Sequence, residues 1–249
     1  MSEANDRRSL LKGITAAAGL LSSPFLSGCI EAYRDMPVIL DDGRMDLYCS
    51  IALTYTEGKP TALVTAGFNR LDKPEAVRLT RGGQIAVNGV VLEHRSRDID
   101  FDYSADIPAP GAEIKVEFWR SDAAPPAVAT VRMPRFRVLS HPKVYKLQDP
   151  LEITWESDPD PTSYRPDEAS GSIGRPAMDD PVGYRLVPQG TTQPRQRFIP
   201  LVPLDWDPAP NYSLRIFMSR AYAIGKLLPF SRGNITLAYG QKFPIEVRK

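Results

Sequence analysis

The sequence is poor in the residues that build most metal and nucleophilic sites. Among its 249 residues there are only two cysteines, Cys29 and Cys49, and two histidines, His94 and His141. Zinc and copper sites draw most of their ligands from these residue types. No stretch has the spacing of a catalytic or cofactor-binding motif, so the sequence predicts a non-enzymatic protein with no catalytic, cofactor-binding or metal-binding residues.

The sequence also has little net charge. The formal charge of the whole chain is +1, and removal of residues 1–28 takes away three basic and two acidic side chains, which leaves a neutral body. A neutral protein has no long-range field that would attract phosphate backbones. We therefore expect no nucleic-acid partner.

The first 28 residues have the order of an export signal. Arg7, Arg8 and Lys12 form a positively charged start, an apolar segment covers 14–26, and small residues follow. A helix of this segment would span roughly 20 Å, which is too short for the ~30 Å hydrocarbon core of a bilayer. A cytosolic amphipathic helix is the alternative, but it would carry charged residues along 14–26, and there are none.

The tetrapeptide Leu26-Ser27-Gly28-Cys29 at the end of this segment resembles the lipobox of bacterial lipoproteins. The resemblance implies that the Cys29 thiol receives a diacylglyceryl group, and that cleavage before Cys29 leaves an acylated N-terminus. Leu26, Ser27 and Gly28 would serve recognition and cleavage. Ile30 follows the cysteine, where the sorting rule of enteric bacteria places Asp for retention in the inner membrane, so the resemblance favours the outer membrane.

Arg7 and Arg8 open a run that resembles the twin-arginine export motif. The run departs from that motif at Asp6, where Ser or Thr is common, and at Leu10, where Phe is usual. An ordinary secretory signal is the alternative. By either route we expect a cell-envelope protein whose several acyl chains, such as palmitate, hold it on a membrane facing the periplasm.

The body of the chain predicts an all-β protein. Proline, with 24 residues, is about twice as frequent as average, which disfavours helix interiors. Apolar alternation with a period of two predicts strands at Met45–Tyr55, Thr61–Thr65, Ala76–Leu79, Gln84–Val87, Val90–Glu93, Ile99–Tyr103, Ile114–Trp119, Val128–Met133, Phe136–Leu139, Leu151–Trp155, Tyr184–Val187, Phe198–Leu201, Tyr212–Met218, Ala221–Ile224, Ile235–Tyr239 and Phe243–Val247.

Three local patterns in the body of the chain predict the placement of individual residues. Asn88-Gly89 between two apolar runs predicts a hairpin with a type I′ turn. Cys49 occupies an apolar position of its strand, so we expect a buried and unpaired thiol. Trp155 ends a strand whose apolar residues share one face, which suits a core position between two sheets.

These strands are interpreted as two tandem immunoglobulin-like or fibronectin-type-III-like β-sandwiches of near-equal length, divided at 133–135. The predicted organisation is a signal peptide at 1–28, a polar tether at 29–44, a first sandwich at 45–134, and a second at 135–249 with a long loop at 156–182. The stretch from Pro142 to Trp155 resembles the opening of a sandwich module common in exported bacterial proteins. One large sandwich is the alternative.

The expected function is that of a lipid-anchored structural or interaction module with a protein partner in the envelope. Acidic side chains are frequent in the predicted long loop, which is the first place to look for binding; they are Asp158, Asp160, Asp167, Glu168, Asp179 and Asp180. Binding of a glycan or another small ligand through Trp119, Trp155, Trp206 or Tyr184 is a second hypothesis. A hydrolase whose triad assembles only in space is a third.

Overall fold

The computed structural model describes residues 34–35, 44–72, 76–79, 82–94, 103–121, 124–146, 149, 151–174, 184–189, 195–200 and 209–248. The described chain is built from β-strands and contains no α-helix, which confirms the all-β prediction. The strands are β1 (Arg34–Asp35), β2 (Met45–Thr56), β3 (Thr61–Arg70), β4 (Val77–Arg78), β5 (Gln84–Val87), β6 (Val90–Val91), β7 (Glu93–His94), β8 (Tyr103–Pro108), β9 (Glu113–Trp119), β10 (Ala127–Arg132), β11 (Phe136–Ser140), β12 (Val144–Lys146), β13 (Leu151–Ser157), β14 (Glu168–Gly174), β15 (Tyr184–Gln189), β16 (Arg195–Pro200), β17 (Ala209–Ala223) and β18 (Phe230–Arg248).

The apolar alternation sets which face of each strand is buried. In β2 the odd-numbered residues from Met45 to Leu53 are buried, while the residues between them are partly exposed. Cys49 is among the buried ones, at 0% exposure, and it is unpaired. The same pattern buries Leu151, Ile153 and Trp155 in β13, and Trp155 packs edge-on against Phe136 with ring centroids 6.4 Å apart.

The strands form two main sheets. A four-stranded antiparallel sheet has the order β10-β9-β5-β6. A large sheet has the order β11-β13-β16-β15-β14-β17-β18-β2-β3-β8-β7, with β12 pairing alongside β18. Strands β2 and β18 pair in parallel at the centre of the large sheet, which joins residues from both ends of the described chain.

Side chains from these sheets form two apolar clusters. The first cluster lies between the four-stranded sheet and the part of the large sheet that contains β2, β3 and β8. The second cluster is formed by β11 to β14 together with β17 and β18. The hairpin of β17 and β18 contributes to both, because Leu214 and Ile245 lie in the second cluster whereas Tyr222 and Ile235 lie in the first.

The hairpin at Asn88-Gly89 is confirmed. Asn88 has a φ of 50° and Gly89 a φ of 80°, and Val87 pairs with Val90 across the turn. Positive φ at both central residues is what a type I′ turn requires, and Asn and Gly tolerate it best. The Asn88 side chain also accepts a hydrogen bond from the Lys115 backbone at 2.9 Å, which fixes the turn against β9.

Several predicted features differ from the structure. The segment 156–182, predicted as one long loop, contains strand β14, which pairs with both β15 and β17. Its sequence, Glu-Ala-Ser-Gly-Ser-Ile-Gly, has only one large apolar residue, so it shows no alternation. Strands β17 and β18 are continuous through 219–220 and 240–242, where the sequence pattern predicted breaks between strands. The start of the predicted strand Ile99–Tyr103 lies outside the described residues.

Candidate functional site

The residues predicted for lipidation and signal recognition lie outside the described part of the chain. These are Arg7, Arg8, Leu26, Ser27, Gly28 and Cys29. Their roles therefore stay predictions.

The structure brings together three of the acidic side chains of the segment 156–168, whereas Glu168 forms a separate pair with Arg165. Asp158, Asp160 and Asp167 converge on Arg220 and Tyr222, which project from β17 at alternate positions. We call these five residues the junction network, because they lie where the two apolar clusters meet. Asp179 and Asp180, also predicted for this segment, lie outside the described residues.

Arg220 is the centre of the junction network. Its side chain has 0% exposure, and it forms a bidentate pair with Asp167, with Nε–Oδ1 at 3.0 Å and Nη2–Oδ2 at 2.7 Å. Nη2 also donates to the backbone carbonyl of Asp158. Burial alone would lower the pKa of Arg220, but the hydrogen bonds and charge of Asp167 outweigh burial and raise it. The guanidinium is therefore a permanent buried cation, neutralised by a carboxylate that is itself 5% exposed.

Asp160 and Tyr222 form the second part of the junction network. The Tyr222 hydroxyl lies 2.7 Å from Asp160 Oδ2, and the backbone N–H and hydroxyl of Thr162 donate to Oδ1 at 2.9 and 2.7 Å. Burial acts to raise the pKa of Asp160, but these hydrogen bonds and the charge of Arg220 lower it to about 2. Burial and the hydrogen bond to Asp160 raise the pKa of Tyr222 to about 12.

The junction network ties the first predicted half of the chain to the second. The backbone N–H of Arg132, at the end of β10, donates to the Tyr222 hydroxyl at 3.1 Å. The Arg135 N–H donates to Asp158 Oδ1 at 2.8 Å, and the Arg132 guanidinium lies 3.6 Å from Asp158 Oδ2. Residues 132–135 are thus held by Asp158, in the segment that follows β13, and by Tyr222 of β17.

The side chains of the junction network bind one another and have a structural role. Both oxygens of Asp160 accept hydrogen bonds, and its low pKa keeps it ionised at neutral pH, so it is not a proton donor near pH 7. Both carboxylate oxygens of Asp167 accept hydrogen bonds from Arg220. Within the described chain, the one polar atom of the network buried without a hydrogen-bond partner is Arg220 Nη1. The arrangement fixes the loop after β13 against β17.

The network leads to a prediction about acid stability. The pKa of Asp160 is lower in the folded protein than its ordinary value of 3.8, so its stabilising contribution is complete above that value and is lost as the pH falls towards 2. The wild type is expected to lose about 2 kcal/mol of unfolding free energy between pH 5 and pH 2 through this group. Asp160→Asn should be less stable at pH 7 and should lack this part of the pH dependence.

Urea unfolding at a series of pH values measures this loss. Asp106→Asn, at an exposed position of β8, is the matched control and should retain the wild-type dependence. An Asp160→Asn curve parallel to that of the wild type would show that the Asp160 carboxylate does not carry the effect.

The two histidines lie in aromatic surroundings. The His94 ring packs edge-on against Tyr103 at 5.3 Å, and the His141 ring lies 4.4 Å from Phe243. A serine hydrolase would also need an exposed nucleophile. Ser172, in the stretch Gly171-Ser172-Ile173-Gly174, belongs to the regular ladder between β14 and β17. It is therefore not at the sharp strand-to-helix turn that exposes a serine nucleophile in hydrolases. In the described part of the chain, no group of three or more His, Cys, Asp or Glu residues is placed to hold a metal ion.

The tryptophans predicted for ligand binding differ in exposure. Trp155 has 1% exposure and belongs to the second cluster, so it offers no surface for stacking. Trp119, at the end of β9, is partly exposed. Trp206 and the side chain of Tyr184 lie outside the described residues.

Comparison with models of protein families and with curated proteins finds no match to this chain. None of the described residues form a helix that is both long and apolar enough to span a membrane.

Arg220 and Tyr222 were missed by the sequence pattern. A signal was present in the sequence, because Arg220 and Tyr222 continue the every-second-residue spacing of the buried Leu214, Ile216 and Met218. An arginine at an inward position interrupts an apolar pattern, and its partner Asp167 lies 53 residues away in sequence.

Proposed function

We propose that this chain is a lipoprotein of a bacterial cell envelope that acts as a non-enzymatic structural or protein-interaction module. The observation that carries the proposal is Leu26-Ser27-Gly28-Cys29, directly after a short apolar segment and a basic start. Diacylation or triacylation of Cys29 would hold the protein on a membrane durably, whereas a single acyl chain gives only marginal binding.

The state of Cys49 supports this role for Cys29. Cys49 is completely buried, and burial raises the pKa of its thiol well above the ordinary value. A thiol of this kind is a poor nucleophile and is not accessible for disulfide exchange. A disulfide between Cys29 and Cys49 would therefore require opening of the first cluster, and the Cys29 sulfur is left free to carry lipid.

For the body we propose two immunoglobulin-like sandwiches in tandem. Support comes from the two separate apolar clusters and from the position of residues 133–135, which lie between β10 of the first cluster and β11 of the second. The hairpin of β17 and β18 contributes to both clusters, so the two sandwiches would share it. The junction network would fix their relative placement.

The non-enzymatic part of the proposal is supported by how the polar groups of the described chain are used. Three acidic residues of the predicted binding segment have structural partners. Asp158 and Asp167 bind the buried Arg220 guanidinium, and Asp160 accepts hydrogen bonds from Thr162 within its own turn. Groups engaged in this way stabilise a scaffold and do not face a substrate. Interaction through loops or strand edges is the function that such a scaffold serves.

Metabolic labelling with a palmitate analogue tests the anchor. The wild type is expected to incorporate the label, to run at the size of a chain that lacks residues 1–28, and to enter the detergent phase. Cys29→Ser should incorporate no label and should keep the size of the precursor, because no thiol is available for the first acyl transfer.

Cys49→Ala is the matched control, since it removes the other cysteine of the chain. It should keep the label and the mature size. Equal labelling of Cys29→Ser and the wild type, or trimming of both to the same size, would rule out Cys29 as the lipid attachment site.

A further inference from the structure

Sheet edges are the places where another chain can add a strand, and natural proteins usually protect them. Most edges of the described sheets are short or blocked. Strands β6 and β7 have two residues each. Strand β11 has an irregularity between Val138 and Ser140, and the Val138 N–H is already bonded to Gln241 Oε1 at 2.8 Å.

Strand β10 is the exception. It forms one edge of the four-stranded sheet and pairs only with β9 among the described strands. Its residues 127–131 are Ala-Val-Ala-Thr-Val, a run without charge, proline or bulge. Val128 is 47% exposed and Thr130 is exposed, and no described strand pairs with β10 on the side away from β9.

The direction of the backbone groups in β10 follows from its neighbours. The N–H of Met133 donates to the carbonyl of Ala112, on the β9 side. Backbone groups of alternate residues in a strand point to the same side, so the odd-numbered residues face β9 and the even-numbered ones face outward. In agreement with this, the N–H and carbonyl of Arg132 both contact the Tyr222 hydroxyl, at 3.1 and 2.8 Å.

The outward groups that are left in β10 therefore belong to Val128 and Thr130. They offer two N–H donors and two carbonyl acceptors. At one end of the run, Pro126 has no N–H, and at the other end the N–H of Arg132 already donates to the Tyr222 hydroxyl.

We propose that β10 pairs with β10 of a second copy of this chain, antiparallel and centred on Ala129. In this register Val128 of each copy lies opposite Thr130 of the other, and all four outward donors and acceptors find partners. The two four-stranded sheets then form one continuous sheet of eight strands around a two-fold axis.

The free backbone groups select this register over its neighbours. A shift that centres the pair on Val128 would set Thr130 opposite Pro126, which lacks a donor. A shift that centres it on Thr130 would set Val128 opposite Arg132, whose N–H is already bonded to the Tyr222 hydroxyl.

This pairing goes beyond the proposed function and does not require the lipid anchor. A contact with four hydrogen bonds is weak in dilute solution. Confinement of several copies on one membrane would raise their effective concentration and favour the pair.

Cysteine trapping tests both the partner and the register. The full chain is used with Cys29→Ser, so that the only native thiol is the buried Cys49. One preparation carries Val128→Cys and another carries Thr130→Cys, and the two are oxidised separately and as a mixture. Opposite residues of a hydrogen-bonded pair have Cα atoms about 5.5 Å apart, which a disulfide spans, whereas the diagonal positions are roughly 7–8 Å apart.

The mixture is expected to give at least about tenfold more disulfide-linked dimer than either preparation alone. No dimer in the mixture, or equal dimer in the separate preparations, would overturn the proposed pair. Because the lipid-bearing thiol is absent from every sample, these results do not depend on whether Cys29 is acylated.

A proline variant adds a second test. Val128→Pro removes an outward N–H and leaves the ladder with β9 intact, because Val128 faces the open edge. Val128→Thr keeps the N–H and is the matched control. In sedimentation equilibrium extended to the highest soluble concentrations, the Cys29→Ser protein and its Val128→Thr variant are expected to self-associate, and its Val128→Pro variant to stay monomeric. Self-association of the proline variant would place the contact elsewhere and overturn the inference.

Discussion

Replacing Arg220 with methionine is expected to lower the free energy of unfolding by about 3–5 kcal/mol. The substitution keeps an unbranched apolar stem but leaves the Asp167 carboxylate, only 5% exposed, without its cation. It also removes the donor to the Asp158 carbonyl. An uncompensated buried charge is among the most destabilising changes in a folded protein. Urea unfolding followed by tryptophan fluorescence, to which the buried Trp155 contributes, measures the loss.

Two further variants test whether the loss of stability comes from the burial of the Arg220–Asp167 pair. Arg137→Met breaks an ion pair with Glu156 whose N–O distance is also 2.7 Å but whose side chains are exposed, and should cost less than about 1 kcal/mol. Arg220→Met combined with Asp167→Met removes both charges and should recover part of the stability. If Arg220→Met is no more costly than Arg137→Met, the junction network does not stabilise the fold.

Gly233→Ala is the second substitution with a large expected effect, at about 4 kcal/mol or more. Gly233 lies in β18 opposite Cys49 of β2 and has a φ of 133°. A Cβ atom there would lie 1.8 Å from the Cys49 carbonyl oxygen and 2.7 Å from its carbonyl carbon. Backbone of a central strand has no room to move aside, so β2 and β18 would have to separate locally. Thermal and urea unfolding should both show the loss.

Gly67→Ala is the matched control for this substitution. Gly67 lies in β3, also next to β2, but a Cβ atom there meets nothing within 4 Å. Alanine should be neutral or slightly stabilising at this position, because glycine loses more backbone entropy on folding. Equal stability of the Gly233→Ala and Gly67→Ala proteins would contradict the close approach of β18 to β2.

Features that depend on near neighbours in sequence could be predicted. The burial of Cys49 and Trp155 follows from strict alternation over five or more residues. The Asn88-Gly89 hairpin follows from the φ values that these two residue types tolerate. In both cases the physical cause lies within a few residues of the feature, which is why the all-β class could be inferred.

Features that depend on distant partners could not be predicted. Strand β14 has almost no apolar signal of its own and exists because β15 and β17 pair with it on both sides. Arg220 is stable at an inward position only because Asp167 comes from the segment before β14. The pairing of β2 with β18 joins residues that are more than 180 positions apart, as the bond between Ser50 and Asn234 shows.

Intact-mass spectrometry of the protein purified from its native membranes tests the lipoprotein proposal most directly. We expect a chain that begins at Cys29, with residues 1–28 removed and the added mass of two or three acyl groups confined to that first residue. A chain that still carries residues 1–28, or one that begins at Cys29 without any acyl mass, would contradict it.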